Sequence, residues 1–199
     1  MTPYELGILW ATCCKIGDKY LLRNKDPYFA QRIQQINDGK IWQSNHPRNN
    51  TVLYCLVIKR KLWEELKFAG HTGRKDADRI FPITEDNMEF ARAYLQCHSV
   101  LDIWNRTIKG KQYSTPRLRI HGAKELMDVI SEIVALAAGV KVKKTQRYSN
   151  SSMCILFYQS PAEVIKICDW LLSDEHSPLL SERISNLLSQ YKFGLKDVT

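Results

Sequence analysis

The stretches Glu5-Leu-Gly-Ile-Leu-Trp-Ala-Thr-Cys13 and Arg92-Ala-Tyr-Leu-Gln-Cys-His-Ser99, about 86 residues apart, decide how this chain is read. Each carries small residues at i and i+4, Gly7 with Ala11 and Ala93 with Cys97, among large apolar ones. That spacing puts the small residues on one helix face, where two helices can approach backbone to backbone. Working outward, each stretch is followed by a matching order of elements. The chain therefore reads as a two-fold repeat with these two helices as its central seam.

Thr2-Pro3-Tyr4-Glu5 opens the first helix as a capping box with proline in the first turn, and the helix is expected to run to about Lys15. Lys19–Asn24 reads as a strand, and Asp26-Pro27 starts a helix that Asp38-Gly39 stops. Lys40–Ser44 and Thr51–Ile58 are strands, followed by a helix over Arg60–Ala69. The charged segment Gly70–Pro82 is the linker. After the second seam helix, Met88 to about Ser99, strands are expected at Leu101–Ile108 and Pro116–His121, and a helix at Ala123–Ala138 stopped by Gly139. Val140–Tyr148 and Met153–Gln159 read as a strand pair around Ser149-Asn150-Ser151-Ser152. Ser160-Pro161-Ala162-Glu163 is a second capping box opening a helix, and a last helix, about Leu179–Tyr191, has no counterpart in the first half.

Charge is distributed unevenly. Residues 40–61, 103–121 and 140–160 hold 5, 5 and 4 Lys/Arg and no Asp or Glu, whereas the rest of the chain has 15 basic and 21 acidic residues. The whole surplus behind the formal +8 thus lies in the strand-like segments. A basic sheet on neutral or acidic helices is the electrostatic footprint of a nucleic-acid binder. In Pro116–His121, alternation sends Leu118 and Ile120 toward a helical layer and Arg117, Arg119 and His121 to an open face. The six cysteines have no CxxC spacing and lie in apolar stretches, so reduced buried thiols are expected. Neither a leader nor a membrane span is expected; the reduced thiols lead to the expectation of a cytoplasmic protein, and the nucleic-acid footprint to one associated with the nucleoid.

The repeated order and the small-residue seam resemble the LAGLIDADG homing endonuclease family. Its motif has small residues third and seventh, an acid eighth and a glycine ninth. Leu6-Gly7-Ile8-Leu9-Trp10-Ala11-Thr12-Cys13 and Arg92–Ser99 fit the small-residue positions, and Pro116–Met127 is similar to the family's strand followed by helix. The resemblance covers roughly residues 2–172. It implies an α+β fold of two pseudo-symmetric αββαββα repeats, a single-chain saddle with a two-helix seam, plus a C-terminal helix. The implied domains are a first repeat at 1–70, a linker at 71–86, a second repeat at 87–172 and a helical extension at 173–199.

The resemblance further implies a saddle lying along the DNA major groove, lined by Lys40, Arg106, Lys109, Lys111, Arg117, Arg119, Lys141, Lys143, Lys144 and Arg147. Arg117 and Arg119 are expected to touch bases, Lys109, Lys111 and Lys144 phosphates, and Gln43, Gln112, Thr145 and Gln146 to add hydrogen bonds. The degenerate motif positions are Gly7, Thr12, Ala93 and His98. Thr12 and His98 stand where the family places its metal-binding acids, and a hard cation needs anionic oxygen. The expectation is therefore a protein that is no enzyme and holds no cofactor or metal. It would bind double-stranded DNA sequence-specifically as a monomer and regulate transcription in a bacterium or phage. Two alternatives stand beside it: a protein-interaction module docking through the C-terminal helix, and a residual metal-dependent nuclease using Asp18 or Asp102.

Overall fold

The structure is a computed structural model in which residues 1–73, 79–147 and 153–194 are described. The chain forms two compact units, Met1–His98 and Ser99–Thr199. The repeats read from sequence and these units are different divisions of the chain, because the second seam helix packs within the first unit.

In the first unit the order is α1 (Pro3–Thr12), β1 (Cys13–Ile16), β2 (Lys19–Asn24), α2 (Pro27–Asn37), β3 (Ile41–Asn45), β4 (Val52–Ile58), α3 (Arg60–Phe68) and α4 (Asn87–His98). The capping box forms: Glu5 N donates to Thr2 Oγ1 at 3.2 Å, and Thr2 N donates to Glu5 Oε2 at 2.8 Å. Helix α1 is buried from Tyr4 to Thr12 and packs on α4. A Cβ on Gly7 would lie 2.4 Å from the Phe90 carbonyl oxygen and 2.8 Å from Ala93 Cβ, so the small-residue face brings the two backbones together. Tyr4 Oη donates to Gln96 Oε1 at 2.6 Å across the same seam.

Helix α1 is shorter than its sequence suggests. It ends at Thr12, and Cys13 turns extended at φ −85°, ψ 138°. Cys13 and Cys14 then pair with Leu22 and Leu21, and Gly17, at φ +59°, lies between the strands of a β1–β2 hairpin. Strand pairing wins over the helical period here because a turn glycine stands between two strand-length runs. The four strands make an antiparallel sheet in the order β1-β2-β4-β3. The ends of the supposed linker are also packed inside this unit. His71 and Arg79 are buried, Arg79 Nη1 donates to Trp10 O at 2.6 Å, and Lys15 N donates to Gly73 O at 2.7 Å.

In the second unit the order is β5 (Ser99–Ile108), β6 (Lys111–Gly122), α5 (Lys124–Ala138), β7 (Gln146–Arg147), β8 (Cys154–Tyr158), α6 (Pro161–Leu172) and α7 (Pro178–Gly194). The sheet is antiparallel in the order β5-β6-β8-β7. Lys109 and Gly110, at φ +49° and +78°, make the two-residue turn of the long β5–β6 hairpin, the positive-φ geometry that matches strand twist. Pro116 interrupts no ladder among the described residues, because of these only β5 lies beside β6 there; pairing with β8 begins at Leu118. Gly139 caps α5 at φ +62°, as its sequence predicts.

Two expectations fail in this unit. Val140–Thr145 is not a strand, and of the described residues in this segment only Gln146–Arg147 pairs with β8. Buried Ser131 takes over the ladder's role: its Oγ accepts from Lys143 N at 2.7 Å and donates to Lys143 O at 3.0 Å. Tyr148 and the turn Ser149–Ser152 lie outside the described residues. The capping box at Ser160 also does not form, since Ser160 makes no cap bond and Glu163 Oε2 is held by Lys143 Nζ at 2.8 Å. Leu180, Ile184 and Leu187 of α7 are buried, with the helix packed on β5, β6 and α6. None of the six cysteines is in a disulfide, four of them are buried, and burial pushes the Cys168 thiol up to about 12.

Candidate nucleic-acid interface

Register and burial divide the sheet of the second unit into two faces. Pro116, Leu118, Ile120 and Gly122 of β6 are buried toward the helices. The alternate residues Lys111, Tyr113, Thr115, Arg117, Arg119 and His121 stand on the other face. Cross-strand pairing adds Asp102, Trp104 and Arg106 of β5, opposite Arg117, Thr115 and Tyr113. Gln146 of β7, paired through Ile155 with His121, shares this face.

Of the basic residues expected to contact DNA in this unit, Arg106, Lys111, Arg117 and Arg119 are therefore gathered on one open face, with Lys109 at the hairpin tip. Lys141 and Lys144 are exposed in the irregular segment after α5. Lys143 is drawn the other way, with its ammonium on Glu163 and 5.8 Å from the Tyr158 ring. Arg147 pairs with Cys154, which pairs with Gly122, so its register places it on the helix-side face. Gln112 takes the helix-side register too, opposite Thr107, and Thr145 donates to Asp128 Oδ1 at 2.9 Å.

The middle of the open face is an ion cluster rather than a row of free cations. Asp102 Oδ1 accepts from Arg117 Nε at 2.9 Å, and Oδ2 accepts from Arg117 Nη2 at 3.0 Å and from Arg119 Nη2. Burial pushes the Asp102 carboxyl up, but the hydrogen bonds and charges of Arg117 and Arg119 outweigh it and hold the group below its usual range. Trp104 lies beside the cluster with the guanidinium carbons of Arg106 and Arg117 at 5.0 and 5.7 Å from its ring. Sequence reasoning missed Asp102 and Trp104 as parts of this surface. The signal was the hairpin register: counting back from the Lys109-Gly110 turn sets Asp102 opposite Arg117.

In the first unit the open face of the sheet carries Lys19, Arg23 and Trp42; Arg23 and Trp42 both pair with Cys55. Arg23 Nη2 is 3.6 Å from Cys14 Sγ. Arg23 was missed because the alternation of a short strand is read with little support when its hairpin partner goes unseen. Lys40 is exposed just before β3, and Gln43 has the helix-side register opposite Tyr54.

At the seam, Gly7 and Ala93 make the close approach described above. Thr12 is buried at the end of α1 and its hydroxyl donates to Ile8 O at 2.7 Å. His98, the last residue of α4, is half-buried with its ring 5.4 Å from that of Tyr94. Among the described residues no group of three or more His, Cys, Asp or Glu is placed to hold a metal ion. No helix among them is long and apolar enough to cross a membrane.

No protein-family model matches the sequence, and no curated protein does. Solved structures match closely in fold. The I-SmaMI LAGLIDADG homing endonuclease bound to cleaved DNA superposes with a TM-score of 0.61 at 9% identity, covering 99% of this chain and 91% of that one. LAGLIDADG homing endonuclease I-GzeII in complex with its DNA target gives 0.62 at 9% identity over 100% and 93% of the chains. I-LtrWI bound to target DNA gives 0.61 at 11% identity over 98% and 90%. These matches overturn the expectation that the chain is no enzyme: the solved proteins it matches are named as LAGLIDADG homing endonucleases or meganucleases, one of them seen with cleaved DNA. The fold of this chain is that of the single-chain LAGLIDADG homing endonucleases.

Proposed function

We propose that this protein binds double-stranded DNA sequence-specifically through the open faces of its sheets. One observation carries the reading. The second unit gathers Arg106, Lys111, Arg117 and Arg119 with Trp104 on the one sheet face that the helices leave uncovered. The major groove admits a β-ribbon, and its base edges distinguish all four pairs. Basic side chains at the tip and edges, Lys109 and Lys144 among them, meet phosphates and fix the register. The DNA-bound proteins of the same fold support this reading. The pseudo-symmetric chain needs no second copy to read a long site, so a monomer is the expected binding form. Occupancy of such a site beside a gene would regulate it, in a bacterium or phage.

A second reading, cleavage of the bound site, is favoured by the neighbour solved with cleaved DNA. It requires metal ligands other than Thr12 and His98, for a threonine hydroxyl and an imidazole supply no anionic oxygen. A docking role for α7 has less to offer, because Leu180, Ile184 and Leu187 are covered within their own unit.

Selection from a random duplex library at physiological salt with Mg²⁺ tests the proposal. One enriched site of roughly 15–25 base pairs, about a helical turn for each sheet, is the expected result. Ends mapped within that site establish the nuclease reading; intact enriched duplexes leave occupancy as the activity. Recovery of no site defeats the proposal.

A further inference from the structure

We propose that Asp102 is a positioning residue that presets Arg117 as a reader of guanine. The inference rests on the DNA-binding reading and goes one step deeper, to the identity of a base. Its basis is the way Arg117 is held. A guanidinium has two edges that can make paired hydrogen bonds: the side edge, Nε with one Nη, and the end edge, both Nη together. Asp102 takes the side edge of Arg117 through Nε at 2.9 Å and Nη2 at 3.0 Å. Arg117 Nη1 makes no hydrogen bond among the described residues, and Nη2 keeps a second hydrogen, so the end edge remains available. Two parallel N–H groups on that edge match O6 and N7 of guanine, the commonest specific arginine contact in the major groove.

Three further features fix the geometry. Trp104 flanks the guanidinium at 5.7 Å from its ring. Arg119 Nη2 grips Asp102 Oδ2 from the other side, so the carboxylate is itself held in place. Arg117, Arg119 and Asp102 keep 19%, 25% and 30% of their side-chain surface exposed, which leaves the cluster open to a ligand yet partly withdrawn from water. A long arginine ordinarily loses rotamer freedom when it reaches a base; here that ordering is already made in the folded protein. An acid in the middle of a DNA-facing surface otherwise only repels phosphate. Its presence is accounted for by selectivity rather than affinity.

The two consequences have opposite signs, and a merely structural role does not give that pattern. Asp102→Asn keeps the shape and removes one negative charge. It is expected to bind bulk competitor duplex more tightly while losing preference for one guanine of the selected site by about ten-fold. The test selects from the same random duplex library with wild type, Asp102→Asn and Arg117→Ala, then measures the enriched duplex with that guanine replaced by 7-deazaguanine, which lacks the N7 acceptor. Wild type is expected to weaken by about ten-fold on this replacement and both variants by less than about two-fold. Adding Asp102→Asn to Arg117→Ala should change the guanine preference no further, because both act through one contact. If Asp102→Asn retains the full preference, or weakens on all duplexes alike, the proposal is overturned while the DNA reading stands. If wild type itself enriches no site, both are overturned.

Discussion

At Gly7 there is no room for a methyl group. The nearest atom a Cβ would meet is backbone, the Phe90 carbonyl oxygen at 2.4 Å, so α1 and α4 would have to part. Gly7→Ala is expected to cost about 1–3 kcal/mol, as overpacking of a tight core does, read from urea unfolding of the whole chain. An unchanged midpoint would mean that the seam yields easily. His121 is a second informative residue. Burial lowers its pKa from the ordinary 6.5, and the charge of Arg119 lowers it further. The folded protein therefore takes up this proton less readily than the unfolded chain. The contribution to stability is present above 6.5 and is lost as pH falls from there through the lower folded value. His121→Asn should flatten the loss of stability between about pH 7.5 and about pH 5. The glycine seam was legible in the sequence because small residues four apart have one obvious use. The Asp102–Arg117–Arg119 cluster was not, because composition alone shows cations without showing which of them already hold a partner.

Among the elements, long periodic helices with a left-handed stop could be read closely. Helix α2 occupies the bounds drawn for it, with Asp26 as its cap, and α5 ends at Gly139. Apart from the end of α1, which the Gly17 hairpin cuts short, the failures occurred where a side chain replaced a regular pattern. Lys-Val-Lys at 141–143 alternates as a strand does, yet Ser131 binds both backbone groups of Lys143 and the segment stays out of the sheet. No local signal marks a serine in a helix for that task. Ser131→Ala leaves the Lys143 N–H without its acceptor, at a cost of about 1–3 kcal/mol. Faster amide exchange at Lys143, with exchange in β6 unaltered, is the signature expected of that variant; unaltered exchange at Lys143 would show that the serine is dispensable. At Ser160 the capping-box pattern is present in the sequence, but Glu163 is drawn to Lys143 instead. Short motifs of this kind state a capacity, and tertiary partners decide whether it is used.

For the whole molecule, the surplus positive charge sits in strand-bearing segments, a pattern visible in the order of residues alone. It predicts affinity for duplex DNA that falls steeply with salt, with a log–log slope on the order of −4 or steeper if four or more phosphates are neutralised. A flat response in a titration of salt against affinity would remove the electrostatic basis of the reading. The fold was legible because the same order of elements recurs; the presence or absence of catalysis was not, because chemistry resides in a few residues and not in the fold. The most direct test of the central claim compares two double variants with equal change in charge on the selected duplex. Arg106→Glu with Lys111→Glu alters the open face of the second sheet, whereas Lys61→Glu with Lys166→Glu alters exposed positions on α3 and α6. The open-face variant is expected to lose at least about ten-fold in affinity and the helix variant no more than a few-fold, since only the former removes direct contacts. Equal losses in the two, or none in the first, would contradict the assignment of that face to DNA.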